Sequence, residues 1–140
     1  MNNYLQEMNL IDLLSEKHLT LRKKVIDSIS DDLNKTETHI LAILEFHQRL
    51  SISEISRILN LTRQGTHKSI QGLLSSGYVQ GVDVENNYRD KHIALTSKGL
   101  EANKNMMVIK KQFEQQIINK LGEANVELMK ALLIENWLED

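Results

Sequence analysis

The segment SISEISRILNLTRQGTHKSIQGLLSSGYV, residues 51–79, contains two short amphipathic patterns that are separated by about two residues. Ser51 and Glu54 form a Ser-x-x-Glu capping box, which predicts the start of the first helix. Thr62 is a favoured N-cap residue for the second helix, and Gly77 occupies the position where a left-handed C-terminal cap is expected. Two short helices joined by so short a turn predict a helix-turn-helix.

The residues after this segment change from a helical to an alternating hydrophobic period. Val82 and Val84, and later Ile93 and Leu95, alternate with polar residues on either side of the polar run 85–90. The pattern predicts a two-stranded hairpin, which would form a wing directly after the helix-turn-helix.

Amphipathic helix patterns occupy the rest of the chain. Apolar residues three or four apart predict one long helix from Tyr4 to about Ile29, a helix capped by Asn34, and two helices after Thr96, the last of which continues to about residue 138. We expect Phe46 and Ile58 to belong to buried helix faces.

The fold class that these patterns predict is mainly α, in a single domain over residues 1–140. Its winged helix-turn-helix core, with a two-stranded β wing, covers residues 33–96. Long N- and C-terminal helices at 1–32 and 97–140 flank the core. Because the core does not require these long helices, their apolar faces must be covered by something, either by a second copy in a dimer or, in a monomer, by folding back on the core.

Composition excludes several classes of function. The chain has no cysteine, so disulfides and thiolate metal sites are excluded. It lacks a phosphate-binding glycine loop and a nucleophile motif, which predicts no enzymatic activity and no cofactor. No apolar run approaches the ~18 residues of a membrane span, and the first residues do not resemble a signal peptide, so we expect a cytoplasmic protein.

Charge is unevenly distributed along the chain, although the net charge is only −2. Residues 51–98 hold six basic and four acidic residues, whereas acidic residues are in excess on both sides. Only this middle segment therefore favours an anionic partner, and its excess is too small to identify nucleic-acid binding alone.

The second helix of the helix-turn-helix has the composition of a helix that reads DNA. It contains two basic residues and no acidic residue, and Gly65 has no side chain to keep its backbone away from DNA. A major groove about 12 Å wide admits a helix whose first turn presents donors to phosphates and bases. A solvated helix face would have a similar composition, but the short turn and the wing favour DNA contact. The predicted contacts are Thr62, Arg63, Gln64, Gly65, His67 and Lys68.

These motifs resemble those of the MarR-type winged-helix regulators. The similarity covers nearly the whole chain, from LNKTETHILAIL at residues 33–44, through residues 51–79, to NYRDKHIALTSKG at residues 87–99. Its most specific features are the spacing of Leu61, Leu73 and Gly77 and a wing that ends in Leu-Thr-x-x-Gly. The family pattern has Asp-x-Arg at the wing tip; here Asn87 stands in place of the Asp, and Arg89 occupies the arginine position.

The resemblance implies a bacterial transcription regulator, a repressor, that binds a pseudo-palindromic site in double-stranded DNA as a homodimer. It places Arg89 in the minor groove, and we assign Ser53 and Thr62 to phosphates. Asn87 can hydrogen-bond to Arg89 but carries no charge, so we expect the wing to be held less firmly. The resemblance also allows for a small-molecule effector, although no residue pattern identifies one.

Two alternatives accompany this interpretation. Some members of the family sense metals through His and Glu, which leaves open a zinc site at His18, His39 or His47 near Glu45. The spacing lacks an i, i+4 histidine pair and a His-Glu-x-x-His motif, so surface or core histidines explain them better and we predict no metal. The second alternative is a winged helix that docks an acidic protein instead of specific DNA.

Overall fold

The computed structural model describes residues 4–82 and 91–138, which form two compact units, Met1–Met106 and Met107–Asp140. Most of the described residues are helical, which confirms the mainly α prediction. The elements in chain order are α1 (Tyr4–Glu7), α2 (Leu10–Ser28), α3 (Lys35–His47), β1 (Arg49–Ser51), α4 (Ile52–Leu59), α5 (Arg63–Ser75), β2 (Val79–Val82), β3 (His92–Leu95), α6 (Ser97–Leu121) and α7 (Glu123–Ile134).

Two capping boxes begin α3 and α4, as the sequence predicts. Asn34 Oδ1 accepts from Glu37 N at 2.9 Å, and Glu37 Oε1 accepts from Asn34 N at 3.0 Å. Ser51 Oγ accepts from Glu54 N at 3.1 Å, and Glu54 Oε1 accepts from Ser51 N at 3.0 Å. Each box satisfies two backbone N–H groups at the helix start and so fixes the residue at which the helix begins.

The N-terminal helical pattern is interrupted, so the prediction of one helix from Tyr4 to about Ile29 is wrong. Asn9 is extended, with φ −73° and ψ 170°, and its Oδ1 accepts from Asp12 N at 2.9 Å. Asparagine competes with the helical backbone for hydrogen bonds and is favoured at N-caps. The chain therefore ends α1 at Glu7 and starts α2 anew at Leu10.

The sheet has three antiparallel strands in the order β1-β3-β2. The predicted hairpin is confirmed for β2 and β3, which pair with Val79 opposite Leu95 and Val82 opposite His92. The sequence did not predict β1, a three-residue strand that leads directly into α4 and pairs Leu50 with Ile93. Residues 83–90, including the predicted wing tip, lie outside the described residues.

The core of the first unit forms where α3, α5 and the sheet meet. Its fully buried side chains include Ile40, Leu41, Leu44, Ile55, Ile70, Leu73 and Ile93. Phe46 and Ile58 were expected to be buried, but they are 86% and 47% exposed. Phe46 follows Leu44 by two residues, which turns it to the opposite side of α3, and Ile58 lies beyond the edge of the buried stripe of α4.

A threonine and a glycine delimit the C-terminal helices. Thr96 Oγ1 accepts from Gly99 N at 3.2 Å and so caps α6, and Gly122, with φ 94°, separates α6 from α7. Helix α7 ends at Ile134, earlier than the sequence predicts. None of the helices within residues 4–82 and 91–138 combines the length and apolar content that crossing a bilayer requires.

Candidate nucleic-acid interface

Helix α5 is buried on one face and exposed on the other. Thr66, Ile70 and Leu73 are fully buried against the core of the first unit. The side chains predicted to contact DNA from this helix are all exposed: Arg63, Gln64, His67 and Lys68, with Gln71 on the same side. Packing thus fixes the helix while its polar face remains open to a partner.

The first turn of α5 is organised by Thr62, which confirms its predicted capping role. Thr62 Oγ1 accepts from Gly65 N at 3.0 Å, and Thr62 O accepts from the Thr66 hydroxyl at 2.9 Å. A Cβ added at Gly65 would lie 3.0 Å from Thr62 Oγ1, so glycine also keeps this cap uncrowded. The backbone N–H groups of Arg63 and Gln64 lie in the first turn of the helix, where no carbonyl group of the helix can accept from them. They can therefore bind a phosphate oxygen.

Electrostatics at this face favour an anion. Arg63 and Lys68 supply two positive charges, and the first turn of α5 contains no acidic residue. Within the described ranges, the side chains of Arg63, Gln64, His67 and Lys68 form no hydrogen bond or ion pair with the protein. Binding of these donors to phosphates or base edges would therefore break no contact among the described residues.

The two remaining predicted contacts lie on other parts of the chain. Ser53 is half-buried in the first turn of α4, the helix that packs against α5 in the helix-turn-helix. Arg89 lies outside the described residues, so its predicted place in the minor groove stays a prediction. Thr62 and five of the other predicted residues thus lie in the N-cap and the first two turns of α5, and Ser53 lies on the preceding helix.

The C-terminal end of α5 has the glycine cap that the sequence predicts. Gly77 has φ 81°, Gly77 N donates to Leu74 O at 3.2 Å, and Tyr78 N donates to Leu73 O at 2.9 Å. These two bonds form a Schellman motif, which requires the left-handed conformation that glycine adopts without strain. Helix α5 therefore has a defined end as well as a defined start.

Sequence reasoning missed the partner of Tyr78. The Tyr78 hydroxyl donates to Asp31 Oδ2 at 2.6 Å, across 47 residues of chain. This hydrogen bond, with burial and the charge of Asp31, raises the pKa of Tyr78 to about 12, so the phenol stays protonated near neutral pH. No short-range pattern relates the two residues, because Asp31 lies in the α2–α3 connection and Tyr78 lies just before β2.

A metal site finds no support in the described ranges. Among residues 4–82 and 91–138, no group of three or more His, Asp or Glu side chains has an arrangement that could hold a metal ion. His18 and His47 are exposed on α2 and α3, and His39 is half-buried.

A helix-turn-helix followed directly by an antiparallel hairpin defines the winged helix-turn-helix class. Within that class, residues 31–89 match the MarR family. The match covers less than half of the chain, so the chain is similar to this family over these residues.

A curated relative and two solved structures extend the similarity. The HTH-type transcriptional regulator PapX of Escherichia coli is 33% identical over 95 residues, which are 63% of this chain and 58% of PapX. The chain thus spans less than two thirds of that relative.

The structural similarities concern the fold. Apo MarR of E. coli matches with a TM-score of 0.79 at 16% identity, over 90% of this chain and 95% of that chain. A variant of MepR from S. aureus, bound to an oligodeoxyribonucleotide, matches with a TM-score of 0.64 at 23% identity, over 89% of this chain and 90% of that chain.

Proposed function

We propose that this chain is a sequence-specific regulator of transcription that binds double-stranded DNA. The observation that carries the proposal is the exposed, acid-free start of α5, whose opposite face is fully buried. A helix fixed on one face and lined with unengaged donors on the other fits a major groove. PapX, a transcriptional regulator, and MepR, whose variant binds an oligodeoxyribonucleotide, support this assignment.

The proposal includes a homodimer on an inverted repeat. Large apolar side chains are exposed on α2 and on α7: Leu10, Ile11, Leu19, Leu21, Leu128, Met129, Leu132 and Leu133. Soluble proteins rarely leave such faces uncovered, and a second copy would cover them symmetrically. Two recognition helices about 34 Å apart would then read half-sites one DNA turn apart.

Repression is the regulatory effect that we propose, with release by a small-molecule effector as a further step. A dimer seated on a promoter excludes the polymerase without any further activity. An effector would release it only if it bound the DNA-free arrangement more tightly than the DNA-bound one.

Selection of bound sequences from a random duplex library tests the proposal. The purified protein is incubated with the library at about 150 mM salt, where non-specific phosphate contacts are weak. We expect enrichment of an inverted repeat with half-sites about ten base pairs apart. If no sequence is enriched and the remaining binding disappears with modest salt, specific DNA binding is refuted, and docking of an acidic protein partner becomes the better assignment.

Two substitutions on α5 separate base contacts from phosphate contacts. Arg63→Ala should weaken binding to the selected site by about tenfold or more and relax the preference at one position, if Arg63 reads a base. Lys68→Ala, if it contacts a phosphate, should weaken all sequences similarly and reduce the salt dependence by about one unit of slope. Lys35→Ala removes the same charge from an exposed position at the start of α3 and is the matched control. Equal effects of all three substitutions would contradict the assignment of α5.

A further inference from the structure

The end of the recognition helix, the start of α6 and the α2–α3 connection meet around one tyrosine. We call this cluster the Tyr78 joint. Its members are Asp31, Ser76, Gly77, Tyr78, Thr96, Lys98 and Gly99.

Residues at the start of α6 donate hydrogen bonds to the backbone carbonyl groups that follow the end of α5. Lys98 Nζ donates to Ser76 O at 2.7 Å, and Thr96 Oγ1 donates to Gly77 O at 2.5 Å. The backbone adds a third bond, from Thr96 N to Tyr78 O at 3.1 Å. Carbonyls at a helix C-terminus lack intrahelical donors, so these three bonds tie the end of α5 to the start of α6.

The Tyr78 side chain extends the joint to the α2–α3 connection. Its hydroxyl donates to Asp31 Oδ2 at 2.6 Å, while Lys98 Nζ lies 4.4 Å from the centre of its ring. A bond from a phenol to a carboxylate is charge-assisted and is stronger than a bond between neutral groups. The ammonium over the ring adds a cation–π contact.

Gly99 permits a very close approach in the same place. A Cβ built on Gly99 would lie 2.2 Å from Tyr78 O and 3.0 Å from Leu95 Cδ2. Backbone therefore lies directly on backbone at the joint, without a side chain between them. Such contacts leave little freedom for α5 to pivot about the start of α6.

We propose that the Tyr78 joint determines which half-site spacing the protein accepts, with Asp31, Tyr78 and Lys98 as positioning residues that never touch DNA. The inference rests on the proposed homodimeric DNA-binding function. In that dimer, α2, α6 and α7 would carry the contacts between copies, because all three helices expose large apolar side chains, while α5 would read DNA. At the joint, within the first unit, the end of α5 is bonded to the start of α6, and Tyr78 is bonded to the α2–α3 connection.

The consequence concerns spacing and not contact with bases. A rigid joint holds the two recognition helices at one separation, so a half-site moved by one base pair is shifted and rotated away from its helix. A loosened joint lets each α5 adjust, so the penalty for wrong spacing decreases. Binding to an isolated half-site is unaffected, because the DNA-contacting face of α5 is unchanged.

The test measures affinity for the selected inverted repeat, for versions with one base pair inserted or removed at the centre, and for a single half-site.

Tyr78→Phe removes the hydroxyl and keeps the ring. Tyr4→Phe removes a hydroxyl from an exposed tyrosine on α1 and is the matched control. Lys98→Met keeps an apolar stem near the ring but removes the bond to Ser76 O, and it decides the outcome if Tyr78→Phe does not fold. Thermal unfolding verifies the fold of each variant.

We expect the preference of Tyr78→Phe for the selected spacing to fall by about tenfold, the equivalent of one lost charge-assisted hydrogen bond. The half-site affinity should stay within about twofold of that of the parent. An unchanged spacing preference, or equal weakening on every duplex including the half-site, overturns the inference and leaves the DNA-binding proposal intact. If the parent protein itself selects no inverted repeat, the proposed function fails and the inference fails with it.

Discussion

Substituting alanine for Gly99 tests the close approach of backbone to backbone between the start of α6 and Tyr78. The new Cβ would lie 2.2 Å from Tyr78 O, whereas ordinary van der Waals contact begins at 3.4 Å, so one group must move by about 1.2 Å, the difference between the two values. The neighbour is a backbone carbonyl and not the end of a flexible side chain, and it also accepts the hydrogen bond from Thr96 N at 3.1 Å.

The expected cost of this substitution follows from three contributions. Overpacking costs about 3 kcal/mol at the upper end of its usual range, because the obstacle is backbone. Displacing the carbonyl weakens the bond to Thr96, at about 1 kcal/mol. Alanine favours the helix over glycine by about 1 kcal/mol, which offsets part of the loss. We expect Gly99→Ala to lower the free energy of unfolding by about 3 kcal/mol.

The assay is urea unfolding followed by far-ultraviolet circular dichroism, with parent and variants at the same protein concentration. Gly81→Ala is the matched control, because Gly81 is exposed on β2 and a Cβ there meets no atom within 4 Å. The control should stay within about 0.5 kcal/mol of the parent. If Gly99→Ala were as stable as Gly81→Ala, the close approach of α6 to Tyr78 would be wrong.

Three further predictions concern single side chains and use the same unfolding assay. Gln48 has φ 67° and ψ −49°, a strained conformation for a residue with a Cβ, so Gln48→Gly should be about 1 kcal/mol more stable than Gln48→Ala; equal stability would argue against strain. Asn103 is buried and donates to Leu41 O and Glu45 Oε1, so Asn103→Asp should cost about 3 kcal/mol at neutral pH. Burial and the nearby Glu45 would raise the pKa of the new carboxyl, so the loss should shrink as the pH falls, and a cost independent of pH would contradict this. The backbone hydrogen bond from Ser51 holds the pKa of Glu54 below its ordinary value of 4.5, so its contribution is present above pH 4.5 and is lost as the pH falls through the lower, folded-state pKa. Glu54→Gln should therefore cost less at about pH 3 than at about pH 7, and the opposite trend would refute this account.

Local chemistry determined the residues at which the helices begin and the glycine positions at which they end. The predicted N-caps are present at the starts of α3, α4 and α5: Asn34, Ser51 and Thr62. Gly77 has the expected positive φ. The signal is readable from sequence because an N-cap bond spans only three residues and a C-cap requires a single residue type. The same short range made the polar start of α5 a recognisable candidate for DNA contact.

Sequence patterns were less informative where the type of a residue and its position in the helix indicate different environments. Phe46 was assigned to a buried face because it is aromatic and follows three core residues, yet it is 86% exposed. The long N-terminal pattern likewise concealed the cap at Asn9, because an asparagine can either continue or restart a helix.

By itself, the sequence determined the starts of α3, α4 and α5, the helix-turn-helix, the pairing of β2 with β3 and the polar face of α5, because each depends on residues close together in the chain. Only the tertiary structure decided the third strand, since β1 is too short to be identified without its partner β3. It also decided the Tyr78 joint, in which Asp31 and Tyr78 meet across 47 residues. Contacts of that range leave no periodic trace in the sequence, because packing of the whole core, and not the spacing of neighbours, brings the two side chains together.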